Sequence, residues 1–203
     1  VLQTPDDVYR HLEEYLMKPG LKVPGVIKAA LKGAGLSGFM KGTATKQIIK
    51  QMEGMAKNFI CGVDGSNALK TLAAIRKQNQ AFTVDLLGEA TTSEWEAEQY
   101  VERYRELILS LSEQCKAWKS SPSLDEDDYG QIPRVNVSIK VSAMYSQLDP
   151  IAFDESVQAA AKRMLPIFQL AKERGVFLNL DMEHYAFKGL DRKSTRLNSS
   201  HEW

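Results

Sequence analysis

The 203-residue chain balances 26 Lys plus Arg against 26 Asp plus Glu and is 43% hydrophobic. The neutral balance excludes a whole-surface field for nucleic acid or an anionic membrane, and the apolar share excludes disorder as the default. No apolar run approaches the ~20 residues of a membrane span, and Cys61 and Cys115 fit neither a metal spacing nor a disulfide framework, which points to a reducing, cytoplasmic setting.

Thr4, followed by Pro5, Asp6 and Asp7, has the form of a helix start: a cap, a proline in the first turn, and acids at the positive end of the dipole. That helix is expected to stop near Met17, before Pro19-Gly20. Residues 21–43 are glycine-rich and suit short helices, and Thr45 to Ala56 suits another. The string GAGLSG (33–38) matches a dinucleotide fingerprint, but no strand precedes it, so a helix connection is the better reading.

From residue 57 the pattern changes. NFICG (58–62) is expected as a short strand, and Ser66 to Gln78 as a helix with Leu69, Leu72, Ala73 and Ile75 in one stripe. AFTVDLL (81–87) alternates like a strand. Ser93 and Glu96 have capping-box spacing ahead of a long helix that reaches Trp118. Residues 120–133 are expected as a loop. Its DEDDYG (125–130) resembles a calcium loop, but Tyr129 and Asn136 stand at ligand positions, so a solvated acidic loop is expected. RVNVSIKV (134–141) alternates again. Phe153 to Arg174 is a helix containing Pro166 and closed by Gly175, and VFLNLDME (176–183) is a further strand. His11 and His184 lack neighbours at ligand spacing and are not metal candidates.

Strands alternating with helices imply parallel pairing through right-handed crossovers. Only one face of each strand is consistently apolar, which favours a barrel over a doubly wound sheet. Val84, Val137, Ile139, Leu178 and Leu180 belong on the helix side. Asp85, Lys140 and Asp181 belong on the other, each near the C-terminal end of its strand, where barrel enzymes keep their chemistry. A structural ion network and a binding site both fit these three charges.

FTVDLLGEA, VSIKVSA and FLNLDMEHYAFKGL resemble, in order and spacing, successive strands of the proline dehydrogenase family. The wording is most similar to the long bacterial bifunctional form, in which an aldehyde dehydrogenase domain follows the barrel. The resemblance implies the first half of a (β/α)8 TIM-type barrel preceded by N-terminal helices. It implies FAD-dependent oxidation of L-proline to pyrroline-5-carboxylate, with a membrane quinone as electron acceptor. By motif, Lys140 would hold the proline carboxylate and Asp181 would line the site near the amine as the catalytic and substrate-binding acid. Glu89 would be the acidic half of an ion-pair gate, and Asp85 a supporting residue. Most FAD contacts would fall in the later half of the barrel.

The expected organisation is therefore a helical segment over 1–56, the N-terminal half of a barrel over 57–190, and a foreign tail over 191–203. DRKSTRLNSSH (191–201) resembles the in-frame translation of a sequencing adapter, where the family has a helix and more strands. On this reading the parent is the enzyme and the fragment is inactive. A non-catalytic helical interaction module and another flavin or aldol-type barrel remain as alternatives.

Overall fold

The computed structural model describes residues 4–34, 38–57, 59–88 and 91–199. They form two compact units, divided between Ile60 and Cys61.

The first unit is helical. α1 (Pro5–Leu16) begins with the expected cap: the Thr4 hydroxyl accepts from the Asp7 N–H, and the Asp7 carboxylate accepts from the Thr4 N–H. α2 (Gly25–Ala34) and α3 (Gly38–Ala56) follow. Tyr9 and Leu31 are buried together, with Leu12, Leu16, Ile27 and Ile48 packed around them. The Tyr9 hydroxyl donates to the Leu31 carbonyl, which satisfies its polar tip inside an apolar cluster.

NFICG does not form the expected strand; Asn58 itself lies outside the described residues. The N–H groups of Phe59 and Ile60 both donate to Ala56, so the chain unwinds from α3 through a turn. Phe59 and Val63 are about nine-tenths exposed, and among the described residues no strand pairs with this stretch. Local alternation without a partner strand is not enough to form a ladder.

The second unit is a three-stranded parallel sheet with helices against one face. α4 (Gly65–Lys77) is capped by Asp64, whose carboxylate accepts from the Asn67 N–H at 2.8 Å. β1 (Val84–Asp85) is much shorter than its apolar run. α5 (Glu94–Cys115) starts at Ser93, which accepts from the Glu96 N–H. The return arm of the expected capping box goes one residue further back, because Glu96 takes the Thr92 N–H. The loop of 120–133 contains a single turn, α6 (Pro122–Asp125), and a small antiparallel hairpin of β2 (Glu126–Asp127) and β3 (Gly130–Gln131).

β4 (Asn136–Lys140) leads into a 3-10 turn, and α7 (Phe153–Arg174) follows. α7 runs through Pro166 and ends at Gly175, whose φ of 65° is left-handed and suits glycine. β5 (Phe177–Asp181) completes the sheet in the order β1-β4-β5. α8 (Lys188–Ser199) continues past the sequence boundary at 190 and buries Leu190, Asp191 and Ser194.

The expected sorting of strand faces is present. Val84, Val137, Ile139 and Val141 pack with Tyr104, Ile108, Leu111, Met164 and Ile167 in one core. Burial of each aliphatic side chain contributes roughly 1.5–3 kcal/mol, so the helix-facing side fixes the register. Burial also pushes the Cys115 thiol up to about 11, which leaves it an inert packing group.

Candidate active site

The polar sides of the strands are joined by register. Ser138 pairs with Asn179, and the Asn179 amide donates to the Ser138 hydroxyl at 3.2 Å. Two residues further along, Lys140 pairs with Asp181. Asp85 is in register with Ser138, so the Lys140 stem leans back over β1. The Lys140 Nζ lies 2.5 Å from Asp85 Oδ2, 3.4 Å from the Leu86 carbonyl and 3.4 Å from Glu183 Oε1.

The Lys140 side chain is 6% exposed, against 34% for Asp85 and 29% for Glu183. Burial alone would pull its pKa down. The Asp85 hydrogen bond, the Asp85 charge and Glu183 together more than offset this and hold the ammonium above its ordinary range. Lys140 is therefore a permanent cation at neutral pH. Tyr104, fully buried beneath it, has its pKa raised first by burial and then by the Asp85 charge. Its hydroxyl forms no well-aligned hydrogen bond among the described residues, although it faces the Lys140 backbone.

Asp181 is half-buried, and its carboxylate makes no hydrogen bond or ion pair among the described residues. A carboxylate without a partner next to a buried ammonium can receive an incoming cation. Of the residues expected from sequence, Asp85, Lys140 and Asp181 thus meet at one end of the sheet. Glu89 lies outside the described residues. Glu183 was missed. Its signal was its position two residues beyond Asp181, on the same side of an extended chain.

The rim is held by a clasp. Glu94 accepts from the Ser146 N–H at 3.1 Å and the Ser146 hydroxyl at 2.6 Å, and it pairs with Arg163. Arg163 also donates to the Met144 carbonyl at 2.9 Å. The Ser146 bonds, and then Arg163, hold the Glu94 carboxyl below the usual range. On the other strand end, the Tyr100 hydroxyl donates to the Leu87 carbonyl at 3.3 Å. Gly88 has φ +145°, and a Cβ there would stand 1.6 Å from that hydroxyl. Gly88→Ala is expected to cost about 1–3 kcal/mol by strain and displacement of Tyr100. Urea denaturation checks this, and Tyr100→Phe in the same background should recover part of the loss.

A family model described as proline dehydrogenase matches residues 68–201, more than half of the chain. This chain belongs to the proline dehydrogenase family. A second model, the proline utilization A N-terminal domain, matches residues 1–59. Proline dehydrogenase 1 of Bacillus subtilis subsp. natto is 27% identical over 131 residues, which is 64% of this chain and 35% of that protein. The bifunctional protein PutA of Salmonella typhimurium is 23% identical over 138 residues, 68% of this chain and 10% of that one. A solved structure of proline utilization A from Bdellovibrio bacteriovorus, inactivated by N-propargylglycine, superposes with a TM-score of 0.75 at 33% identity. It covers 96% of this chain and 24% of that one. The chain thus spans about a third of the Bacillus relative and a smaller part of the bifunctional family members.

Proposed function

We propose that this chain supplies the substrate-orienting half of a proline dehydrogenase barrel, which oxidises L-proline to pyrroline-5-carboxylate. One observation carries the reading: Lys140 and Asp181 are register partners at the C-terminal end of a parallel sheet, and Asp181 is uncommitted. Proline is a zwitterion. Its carboxylate would take the Lys140 ammonium as a charge-assisted partner, and its ring ammonium would face Asp181. Asp85 and Glu183 hold Lys140 in place and keep it protonated. These residues bind and orient; they do not carry the redox step.

The family implies FAD as hydride acceptor. The residues around Lys140 do not suit the pyrophosphate of that group. Three carboxylates, Asp85, Asp181 and Glu183, surround one ammonium, and a dianion would be repelled. No step is therefore assigned to this chain through FAD. Electron delivery to a membrane quinone, with peripheral attachment, belongs to the same proposal; no helix among the described residues is long and apolar enough to cross a membrane.

The three strands are read as the opening part of an eight-stranded barrel. β1 and β5 each keep one edge unpaired among the described residues, so the mouth is open on two sides. The 203-residue chain alone is expected to show no proline:dye oxidoreductase activity, whereas the full-length gene product shows it. Absence of proline turnover in the full-length product would sink the functional reading. A flavin absorbance band and turnover in the chain alone would sink the inactivity.

A further inference from the structure

At the other end of β4, about 13 Å from Lys140 along the strand, a cavity of about 130 Å³ opens beside Asn136. Arg76, Arg134, Gln80, Phe82 and Asn136 line it. Arg76 and Arg134 both pair with Asp125, at 2.7 and 3.1 Å. Two guanidinium groups thus share one carboxylate, and one positive charge is left over. The hairpin acids Glu126, Asp127 and Asp128 are exposed and do not line the cavity.

The donors are not exhausted. Arg76 uses Nη2 for Asp125 and the Lys119 carbonyl, and Arg134 uses Nε and Nη1 for Asp125 and the Trp118 carbonyl. Arg76 Nε and Nη1 and Arg134 Nη2 have no partner among the described residues. A guanidinium carries five N–H groups in a fixed fork that matches oxyanions. Asn136, at the start of β4, completes the polar lining. Arg134 is also shared with a neighbouring groove of about 280 Å³ that Lys116 and Arg174 line. Those two cations have Glu113 as their carboxylate partner, so the surroundings add positive charge.

The cavity therefore offers a residual positive charge and free N–H donors. A charge held out of water without full compensation is costly. An oxyanion satisfies both. The volume admits a single tetrahedral group and is well below the roughly 300–1,000 Å³ of pockets for drug-sized ligands. We propose that the cavity between Arg76, Arg134 and Asn136 is a binding site for a small tetrahedral oxyanion of the phosphate class. The free N–H groups of the two arginines hold its charged oxygens. This site is separate from the Lys140 cluster and does not rest on the proline reading.

Inorganic phosphate is the probe, titrated into the 203-residue chain at constant ionic strength with chloride as balance. The melting temperature is expected to rise by about 3–5 °C at ten times the dissociation constant and to keep climbing with the logarithm of phosphate concentration beyond it. Asn136→Asp places a carboxylate in the cavity and is expected to abolish the response. If that variant does not fold, Arg134→Gln removes one of the two charges and should weaken phosphate binding about tenfold. Amide NMR shifts of Gln80, Ala81 and Asn136 report the site directly in the wild-type chain. NMR shifts that do not saturate, shifts confined to other residues, or an unchanged response in a folded variant each overturns the proposal.

Discussion

Asp125→Asn is expected to cost the chain about 3–5 kcal/mol, the largest loss from any single polar change in this fold. Asp125 has a 1% exposed side chain, and its Oδ2 accepts from Arg76 at 2.7 Å and from the Ser121 N–H at 2.9 Å. Arg134 adds a third contact at 3.1 Å. These donors come from the end of α4, the loop after α5 and the entry to β4, so one carboxylate ties three segments together. Arg76 also lies over the Trp118 ring, 5.7 Å from its centre. Asparagine keeps the shape but leaves two partly buried guanidinium groups without their shared charge partner. Replacement of a buried charge partner costs far more than loss of an exposed pair, which contributes ~0–1 kcal/mol.

The same carboxylate sets an acid limb. The Arg76 hydrogen bond, with help from Ser121 and Arg134, holds the Asp125 carboxyl below the usual range. A depressed folded pKa adds stability above the unfolded value, near 4, and that stability is lost as pH falls through the folded pKa. Wild-type chain should therefore lose stability below about pH 4 faster than Asp125→Asn does. Urea denaturation from pH 7 to pH 3 tests both parts. A cost under about 1 kcal/mol at pH 7 would mean that the arginines find water or other acceptors and that the cluster is not structural.

Much of this fold was legible in the sequence because its signals are local. Thr4, Ser93 and Gly175 mark helix ends by chemistry that needs no distant partner. α7 runs over the expected span, and the polar sides of β4 and β5 follow from alternation. The misses are non-local. NFICG has strand-like residues but, among the described residues, no neighbouring strand to pair with, and β1 shrinks to two residues because only Val84 and Asp85 find partners in β4. The loop acid Asp125, expected in solvent, is buried because arginines 49 and 9 residues away in sequence converge on it. In the site, the convergence of Asp85, Lys140 and Asp181 was readable from strand ends. Which acid takes the ammonium was not: Asp85 and Glu183 pair with Lys140, while its register neighbour Asp181 stays free.

That division of labour gives Lys140→Met in the full-length gene product a specific expected signature. Methionine keeps an unbranched stem and removes the charge. The Asp85 and Glu183 carboxylates it leaves behind are 34% and 29% exposed, so water can solvate them and the fold should survive. The site, however, changes from one cation among three acids to three acids alone. A proline carboxylate then loses its partner and meets repulsion. Loss of one charge-assisted contact costs roughly 2–3 kcal/mol, or about 30–150-fold, and the added repulsion takes kcat/KM for L-proline down by more than about 100-fold. Most of the change should appear in KM, because the contact is made in ground and transition states alike. Lys140→Arg should not rescue it, since a planar guanidinium fitted against Asp85 cannot occupy the position of the ammonium. Asp181→Asn should behave differently: it removes the uncommitted carboxylate while the Asp85–Lys140 pair stays in place, so it weakens capture of the ring amine and leaves the melting temperature unchanged. If Lys140→Met retains wild-type kcat/KM with an unchanged melting temperature, the strand-end charges are a structural network and proline is bound elsewhere.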